Sequence, residues 1–562
     1  MMRLSISVLP ALLSLLAGVG HAQTPQVLTS AQWREDTEFL RDRLIDTHPN
    51  AFARVTRERF EAEWQGIRDS LDQWDDRQIA VRLMQLVASV QDGHTNLEPS
   101  DRIGFDRWFP VRFYRFADGV FVTAIDPSHG EYAGANVLRI GVMQADSAAD
   151  LAATVQAADN EFGALEGVFF LSNADALHAL GVIESPEALP LEVVTRSGER
   201  RRVFLEPVRS GYQLGWRFRG EMFGPPSAGE ELITAFDGRV AMAYRQRDPA
   251  LPLHLRYRLY YDFVHLEEHD AVYFQFNFTQ DDPNEPFTDF YQRMFRYIDE
   301  HDIGRLIVDI RYNGGGDGSM LLPFVHELVK RDHSVNRPGR LFTIVGRKTF
   351  SAGVMLVGLM KQHTNTVFVG EPAGAALNHY GDNTSFTLPN SGMRLSVSTM
   401  YWQYSRWGDP NRLEPIQVPA MFTSEDYFGG RDPALEAILD PHLMPVIGVL
   451  EEQGGEAARD LFEAQRLGYE QYSWWQPFAQ FDMNRLAYDL IEAGRSADAV
   501  VAFELNADRF GHDWRVWDGL GDGYKAAGRS LDAANAFRRA LETAPDNWNA
   551  AYQRRMIQQL GR

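Results

Sequence analysis

The run Leu306-Ile-Val-Asp-Ile-Arg-Tyr-Asn-Gly-Gly-Gly316 constrains this chain more than any other segment. Leu306 to Ile310 is short, apolar and bounded by turn residues, which predicts a fully buried strand. Three consecutive glycines then let the chain leave the strand with backbone N–H groups unshielded, able to approach an anionic oxygen. Leu341-Phe-Thr-Ile-Val345 predicts the next buried strand, and Ser351 opens a helical run from Ala352 to Lys361. A serine on a strand-to-helix turn, with a glycine-rich turn elsewhere in the same unit, combines a nucleophile with half of an oxyanion hole. The pairing points to acyl transfer.

Asp309-Ile-Arg-Tyr-Asn-Gly-Gly-Gly316, Ser351-Ala-Gly, Val367-Phe-Val-Gly-Glu-Pro372 and Leu413-Glu-Pro-Ile-Gln-Val418 stand in this order, with Asp92-Gly-His-Thr95 upstream. In order and spacing they resemble the serine peptidases related to C-terminal processing (tail-specific) protease and tricorn, over about residues 30 to 440. The resemblance implies a ClpP/crotonase-like catalytic domain. It also implies a choice between two catalytic schemes. Where the tail-specific branch carries its lysine base, counted from the serine, this sequence has Ala376 within Ala373-Gly-Ala-Ala376. The positions that the tricorn-like branch fills with an upstream histidine and a late glutamate before proline hold His94 and Glu414.

Those residue types suit the reaction. A serine hydroxyl needs a base in hydrogen-bond reach, and an imidazole titrating near neutrality can take its proton and return it to the leaving amine. The expectation is therefore that Ser351 attacks, His94 shuttles the proton, and Glu414 orients the imidazolium. The N–H groups of Gly315 and Ala352 would hold the oxyanion. The tricorn pattern has a serine beside the histidine; here Gly93 precedes His94 and Thr95 follows it, so Thr95 is the available hydroxyl.

Plainer readings apply to several neighbours. Ser319, in Gly316-Asp-Gly-Ser319, is expected to cap a helix beginning at Met320 rather than to act as nucleophile. Asp309 and Arg311 are explained by a strand-end ion pair that fixes the turn, and His379 is the reserve base. His265-Leu-Glu-Glu-His269 matches the H-x-x-E-H pattern of some zinc peptidases, which requires a helix. Leu255 to Tyr261 and Ala271 to Phe278 are aromatic and partly alternating, so the pair is expected to flank a hairpin turn and not to bind metal. No metal and no organic cofactor is expected.

Met1-Met-Arg3, the apolar stretch Leu4 to Gly20 and the small residues of Gly20-His-Ala22 have the form of a signal peptide, with a mature start near Gln23. An exported protein, periplasmic or secreted and without a stable membrane span after processing, is the expectation. With no cysteine, the chain has no disulfide, thiol nucleophile or thiolate metal site. Its 562 residues are enough for several cored domains. A formal charge of -22 argues against non-specific nucleic-acid binding.

The organisation expected is a multidomain α/β chain. A signal peptide at 1–22 is followed by a helical cap at 23–107 that delivers His94, with helical periodicity through Trp33, Leu40, Leu44, Phe60 and Ile67. Residues 108–208 resemble a PDZ-like β-rich module, on Gly134-Ala-Asn-Val-Leu-Arg-Ile-Gly141 followed by Ser147-Ala-Ala-Asp-Leu151. Its groove could receive peptide as an added strand or serve only for packing. The catalytic domain spans 209–445, after a loop at Pro225–Gly229. In 446–562, Gly494, Asp498, Ala499, Phe503 and Trp514 recur as Gly528, Asp532, Ala533, Phe537 and Trp548, each displaced by 34, the period of tetratricopeptide helix pairs. The composite expectation is an exported serine peptidase acting on peptide or protein, with a possible protein partner at the repeats. A catalytically inactive binding scaffold of the same fold is the alternative.

Overall fold

The computed structural model describes residues 26–209, 252–255, 260–337, 339–406, 409–440 and 445–561. The expected leader at 1–22 and the loop at Pro225–Gly229 lie outside the described residues.

The described residues open with three helices, α1 (Ser30–Thr47), α2 (Arg57–Asp69) and α3 (Asp76–Ala88). Thr29 and Asp75 begin the first and third with reciprocal capping boxes to Gln32 and Gln78. Trp33, Leu40, Leu44, Phe60 and Ile67 are buried between them. Strand β1 (Asn96–Glu98) follows the loop that carries His94. The helical core is completed from far along the chain by Leu388, Met393, Leu395 and Val397. There, too, the buried carboxylate of Asp36 accepts the N–H groups of Asn390 and Ser391 at 2.9 and 2.8 Å.

Residues 107–209 form a second body. Its main sheet runs β2 (Val111–Phe116), β3 (Gly119–Ile125), β4 (Asn136–Ile140), β5 (Leu189–Val194) and β6 (Arg200–Leu205), all antiparallel, with α4 (Ala145–Ala153) packed on it. The start of β2 is held by its own chain: Phe109 N–H donates to the Ser172 carbonyl at 2.7 Å, and Ser172 Oγ to the Val111 carbonyl at 2.7 Å.

The third body is a six-stranded sheet in the order β7 (Tyr261–Leu266), β8 (Ala271–Phe276), β9 (Arg305–Asp309), β10 (Leu341–Val345), β11 (Val367–Gly370) and, at the far edge, Val418–Pro419. Only the β7–β8 hairpin is antiparallel. Helices α5 (Phe287–Glu300), α6 (Leu321–Val329) and α7 (Ala352–His363) cover one face, and α8 (Pro433–Leu439) the other. Coverage on both faces explains why Leu306 to Ile310 is apolar without alternation: Leu306, Val308 and Ile310 enter one core and Ile307 the other. His265 lies on strand β7 and His269 ends the one-turn 3₁₀ segment Glu267–His269 of the hairpin, so the two do not share an α-helix, and His265 Nδ1 bonds the Tyr297 hydroxyl at 3.0 Å. A long hairpin, Asn378–Thr387 with Arg394–Gln403, leaves this sheet and pairs with β1, joining the third body to the first.

Helices fill the C-terminal region, among them Gln480–Glu492, Ser496–Phe510, Trp514–Ala526 and Ser530–Thr543. Gly494 and Gly528 turn between helices at φ 76° and 75°. Phe503 packs over Gly519 and Gly523, and Phe537 over Gly521.

Candidate active site

Ser351 stands between β10 and α7 with φ 51° and ψ -123°, a conformation rare for a residue with a side chain. The turn is fixed from two sides. Thr349 Oγ1 donates to the Ile310 carbonyl at 2.8 Å and accepts the Gly346 N–H at 3.1 Å, tying the ends of β9 and β10 together. The Asn313 carbonyl accepts the Phe350 N–H at 2.9 Å, so the glycine turn and the serine turn are one unit. A β-carbon on Gly353 would lie 2.4 Å from that same carbonyl, which is why only glycine fits.

The glycine turn reaches the serine directly. A β-carbon placed on Gly315 (φ 111°) would lie 2.6 Å from Ser351 Cβ, 3.1 Å from its Oγ and 3.0 Å from the Ala352 nitrogen. Ser351, Gly315 and Ala352 are thus brought together. The Gly315 N–H, however, donates to the buried Asn313 Oδ1 at 3.0 Å and is engaged, which corrects its expected role. Gly315 C=O and Asp317 N–H both bond Thr279, so the Gly316 N–H between them is directed away from Thr279. It has no partner among the described residues. Asp317, not Ser319, caps the following turn by accepting the Ser319 N–H at 2.9 Å, and the helix begins at Leu321. Beneath the turn Arg311 binds Asp309 at 2.9 Å and Asp432 at 2.8 Å, all three buried.

His94 approaches from the first body. Its ring lies over Phe350, the neighbour of Ser351, with centroids 4.3 Å apart and planes 26° from parallel. A β-carbon on Gly93 would come within 2.8 Å of the Phe350 ring, so glycine permits the close approach. His94 also lies near-parallel to His379, at 5.6 Å and 13°. Burial, with the neighbouring His379 imidazole, holds His94 below the ordinary imidazole range against the pull of Asp92, Asp159 and Asp382. Burial lowers His379 likewise.

Two carboxylates set the His94 loop, and sequence reasoning missed both. Asp92 accepts the His94 N–H at 3.0 Å, His48 Nε2 at 3.1 Å, and the Thr95 and Ser398 hydroxyls at 2.6 Å each. The Thr95 hydroxyl is therefore spent on Asp92. Asp159, wholly buried, accepts Arg54 at 2.9 Å, the Gly93 N–H at 3.2 Å and the Ala376 N–H at 3.4 Å, and so joins all three bodies at the site. The Asp-Gly-His-Thr spacing was the signal for Asp92; nothing local marks Asp159.

Glu414 is not brought to the histidine. Both its oxygens are held by Lys361, at 2.7 and 2.8 Å, ten residues along α7 from Ser351, or about 15 Å of helix rise. Burial raises the Glu414 carboxyl above its usual range, against the pull of Lys361. The expected third member of the relay is here the buried half of an ion pair whose lysine is exposed.

No family model matches this sequence. No curated protein matches it either. Among solved structures, that of the CPAF S499A mutant is similar with a TM-score of 0.50 at 11% identity, covering 75% of this chain and 98% of that one. The chain has the CPAF fold. The photosystem II D1 C-terminal processing protease (TM-score 0.32, 14% identity, 71% of this chain and 94% of that one) and the tricorn protease (0.33, 14%, 74% and 37%) are also among its structural neighbours. The CPAF match takes in almost the whole of that chain and leaves about a quarter of this one unmatched.

Proposed function

We propose that this chain is a serine peptidase that cleaves peptide bonds through an acyl-enzyme on Ser351. The observation that carries the reading is the abutment of the Gly315 backbone on Ser351 and on the Ala352 N–H, with Ser351 held at positive φ. A carbonyl carbon at Ser351 Oγ would place its oxygen between the N–H of Ala352, at the helix start, and that of Gly316. His94, the base, takes the hydroxyl proton as the Oγ–C bond forms and gives it to the amine as the C–N bond breaks. Water then enters by the same route in reverse. The structural likeness to CPAF and the processing-protease motifs support a peptide or protein substrate.

The remaining readings belong to this proposal. The peptidase is exported by its N-terminal leader. Residues 108–208 are a PDZ-like module, whose β2 start, already bonded to Ser172, favours packing over strand capture. The tetratricopeptide-like helices dock a protein or lean on the catalytic body. The test is intact mass after treatment with a fluorophosphonate. One adduct on Ser351, absent in Ser351→Ala and at least a hundredfold slower to form in His94→Ala, is expected. Folded protein with no adduct would favour the inactive scaffold.

A further inference from the structure

A serine relay needs an acceptor behind its histidine, and the expected one, Glu414, is bound to Lys361. The other carboxylates near His94 are also engaged: Asp92 by His48, Thr95, Ser398 and the His94 N–H, Asp159 by Arg54 and two backbone N–H groups. Asp382 is exposed. Yet His94 Nδ1 is buried and has no hydrogen-bond partner among the described residues. Its neutral ring has one N–H, and if Nε2 is to take a proton from Ser351, that N–H is on Nδ1.

His379 supplies the complement. It is wholly buried, and its Nδ1 faces two carbonyls, Ala376 at 3.0 Å and Leu377 at 3.3 Å. Carbonyls only accept, so Nδ1 carries the hydrogen and the neutral ring leaves a lone pair on Nε2. That Nε2, like His94 Nδ1, is buried with no hydrogen-bond partner among the described residues. The two rings are stacked, 13° from parallel with centroids 5.6 Å apart, so an N–H···N bond between them requires a ring rotation that brings the two nitrogens edge to edge. The two nitrogens are not in hydrogen-bond contact in this structure, and relays of this kind commonly tighten only with substrate bound.

We infer that His379 Nε2 is the acceptor for His94 Nδ1–H, so that a second imidazole, rather than a carboxylate, orients the base. This rests on the peptidase reading above. The proton balance is simple: the Ser351 proton moves to His94 Nε2, Nδ1–H stays on His94 throughout, and His379 gains and loses no proton. His379 is a positioning residue. Being neutral, it does not raise the affinity of His94 for a proton as a carboxylate would. The charged or titratable groups facing the pair are Asp92, Asp159 and Asp382.

The test uses the full chain. The fluorophosphonate rate is followed against pH for the wild type and for His379→Phe, His379→Gln and His379→Glu, with thermal midpoints as a check on folding. In parallel, histidine-selective ¹⁵N spectra read the tautomers. His379→Phe keeps a flat ring but no acceptor and should slow labelling on the order of 10²- to 10⁴-fold. His379→Gln restores an acceptor and should recover most of the rate. His379→Glu should move the midpoint of the rate profile up by about one pH unit or more. The wild-type spectra should show hydrogen on Nδ1 of both rings, with a His94 resonance that shifts in His379→Phe. Labelling of folded His379→Phe at the wild-type rate and midpoint, or hydrogen on Nε2 of His94, would overturn the inference. A wild type that takes no label would defeat the peptidase reading instead, and the tautomers alone would then decide whether the imidazoles pair.

Discussion

Ser351 holds φ 51° and ψ -123°, and such a backbone costs a residue with a β-carbon about 1–3 kcal/mol. The bonds from Thr349 and Phe350 to β9 and the glycine turn hold it there. Ser351→Gly removes the clash and the hydroxyl together, so it should abolish labelling while raising unfolding free energy by about 1 kcal/mol, read from denaturant melts. A destabilised glycine variant would mean that the turn is not strained. Asp92 poses a second test at this scale. Burial alone would raise its carboxyl, but bonds from His48, Ser398 and Thr95 outweigh burial and hold it well below the carboxylate range. A carboxyl depressed on folding stabilises above its unfolded pKa of about 3.9, and that stability is lost as pH falls below it. Asp92→Asn should therefore lose about 3 kcal/mol at neutral pH, with the gap to wild type narrowing below about pH 4. A gap independent of pH would show that the carboxylate charge is not what matters.

At the scale of elements, the stretch from β9 to α7 was legible because each step has a local signature: an unbroken apolar strand, a glycine run, a serine before a helical run. The second strand of the β7–β8 hairpin was legible from its aromatic alternation, whereas the first lies at Tyr261–Leu266, beyond the Leu255–Tyr261 run expected to form it. The pairing of Glu414 with Lys361 was not, because it joins residues 53 apart in sequence on different elements, and a lysine on a helix reads as solvated surface. Nor was the fate of the Gly315 N–H, since an asparagine two residues before it can turn inward or outward and only the Phe276 and Thr279 contacts turn it inward. Asp159 was hidden for the same reason, its partners lying 66 to 217 residues away. The Gly353 contact makes this coupling testable. Gly353→Ala would force a β-carbon to within 2.4 Å of the Asn313 carbonyl, so the glycine turn and the serine turn must separate. Labelling should fall by at least tenfold in a chain that still melts cooperatively; a wild-type rate would mean that the oxyanion donors do not depend on this contact.

For the whole molecule, the question is whether the C-terminal helices are an appendage or part of the body built on the six-stranded sheet. They are threaded into it. Ile416, almost wholly buried, donates its N–H to the Trp474 carbonyl at 2.9 Å and accepts the Gln476 N–H at 3.1 Å. Trp474 packs on the core of the third body, with its ring 5.6 Å from Phe162 of the second body. Arg485 bonds Asn365 at 2.6 Å, just before β11. These contacts support the segment from Glu414 to the edge strand at Val418, which has no other neighbour on that side in the sheet order. Deleting 446–562 removes two backbone hydrogen bonds, worth about 1 kcal/mol each, and the packing of one large aromatic, worth about 2–3 kcal/mol. The thermal midpoint of the remaining body should fall by about 5–10 °C, and labelling at Ser351 should weaken as the 414–418 segment loosens. Trp474→Ala in the full chain should reproduce roughly half of that fall. If the deletion left the midpoint unchanged, the helices would be an independent arm, and their docking surface would be the place to look for a partner.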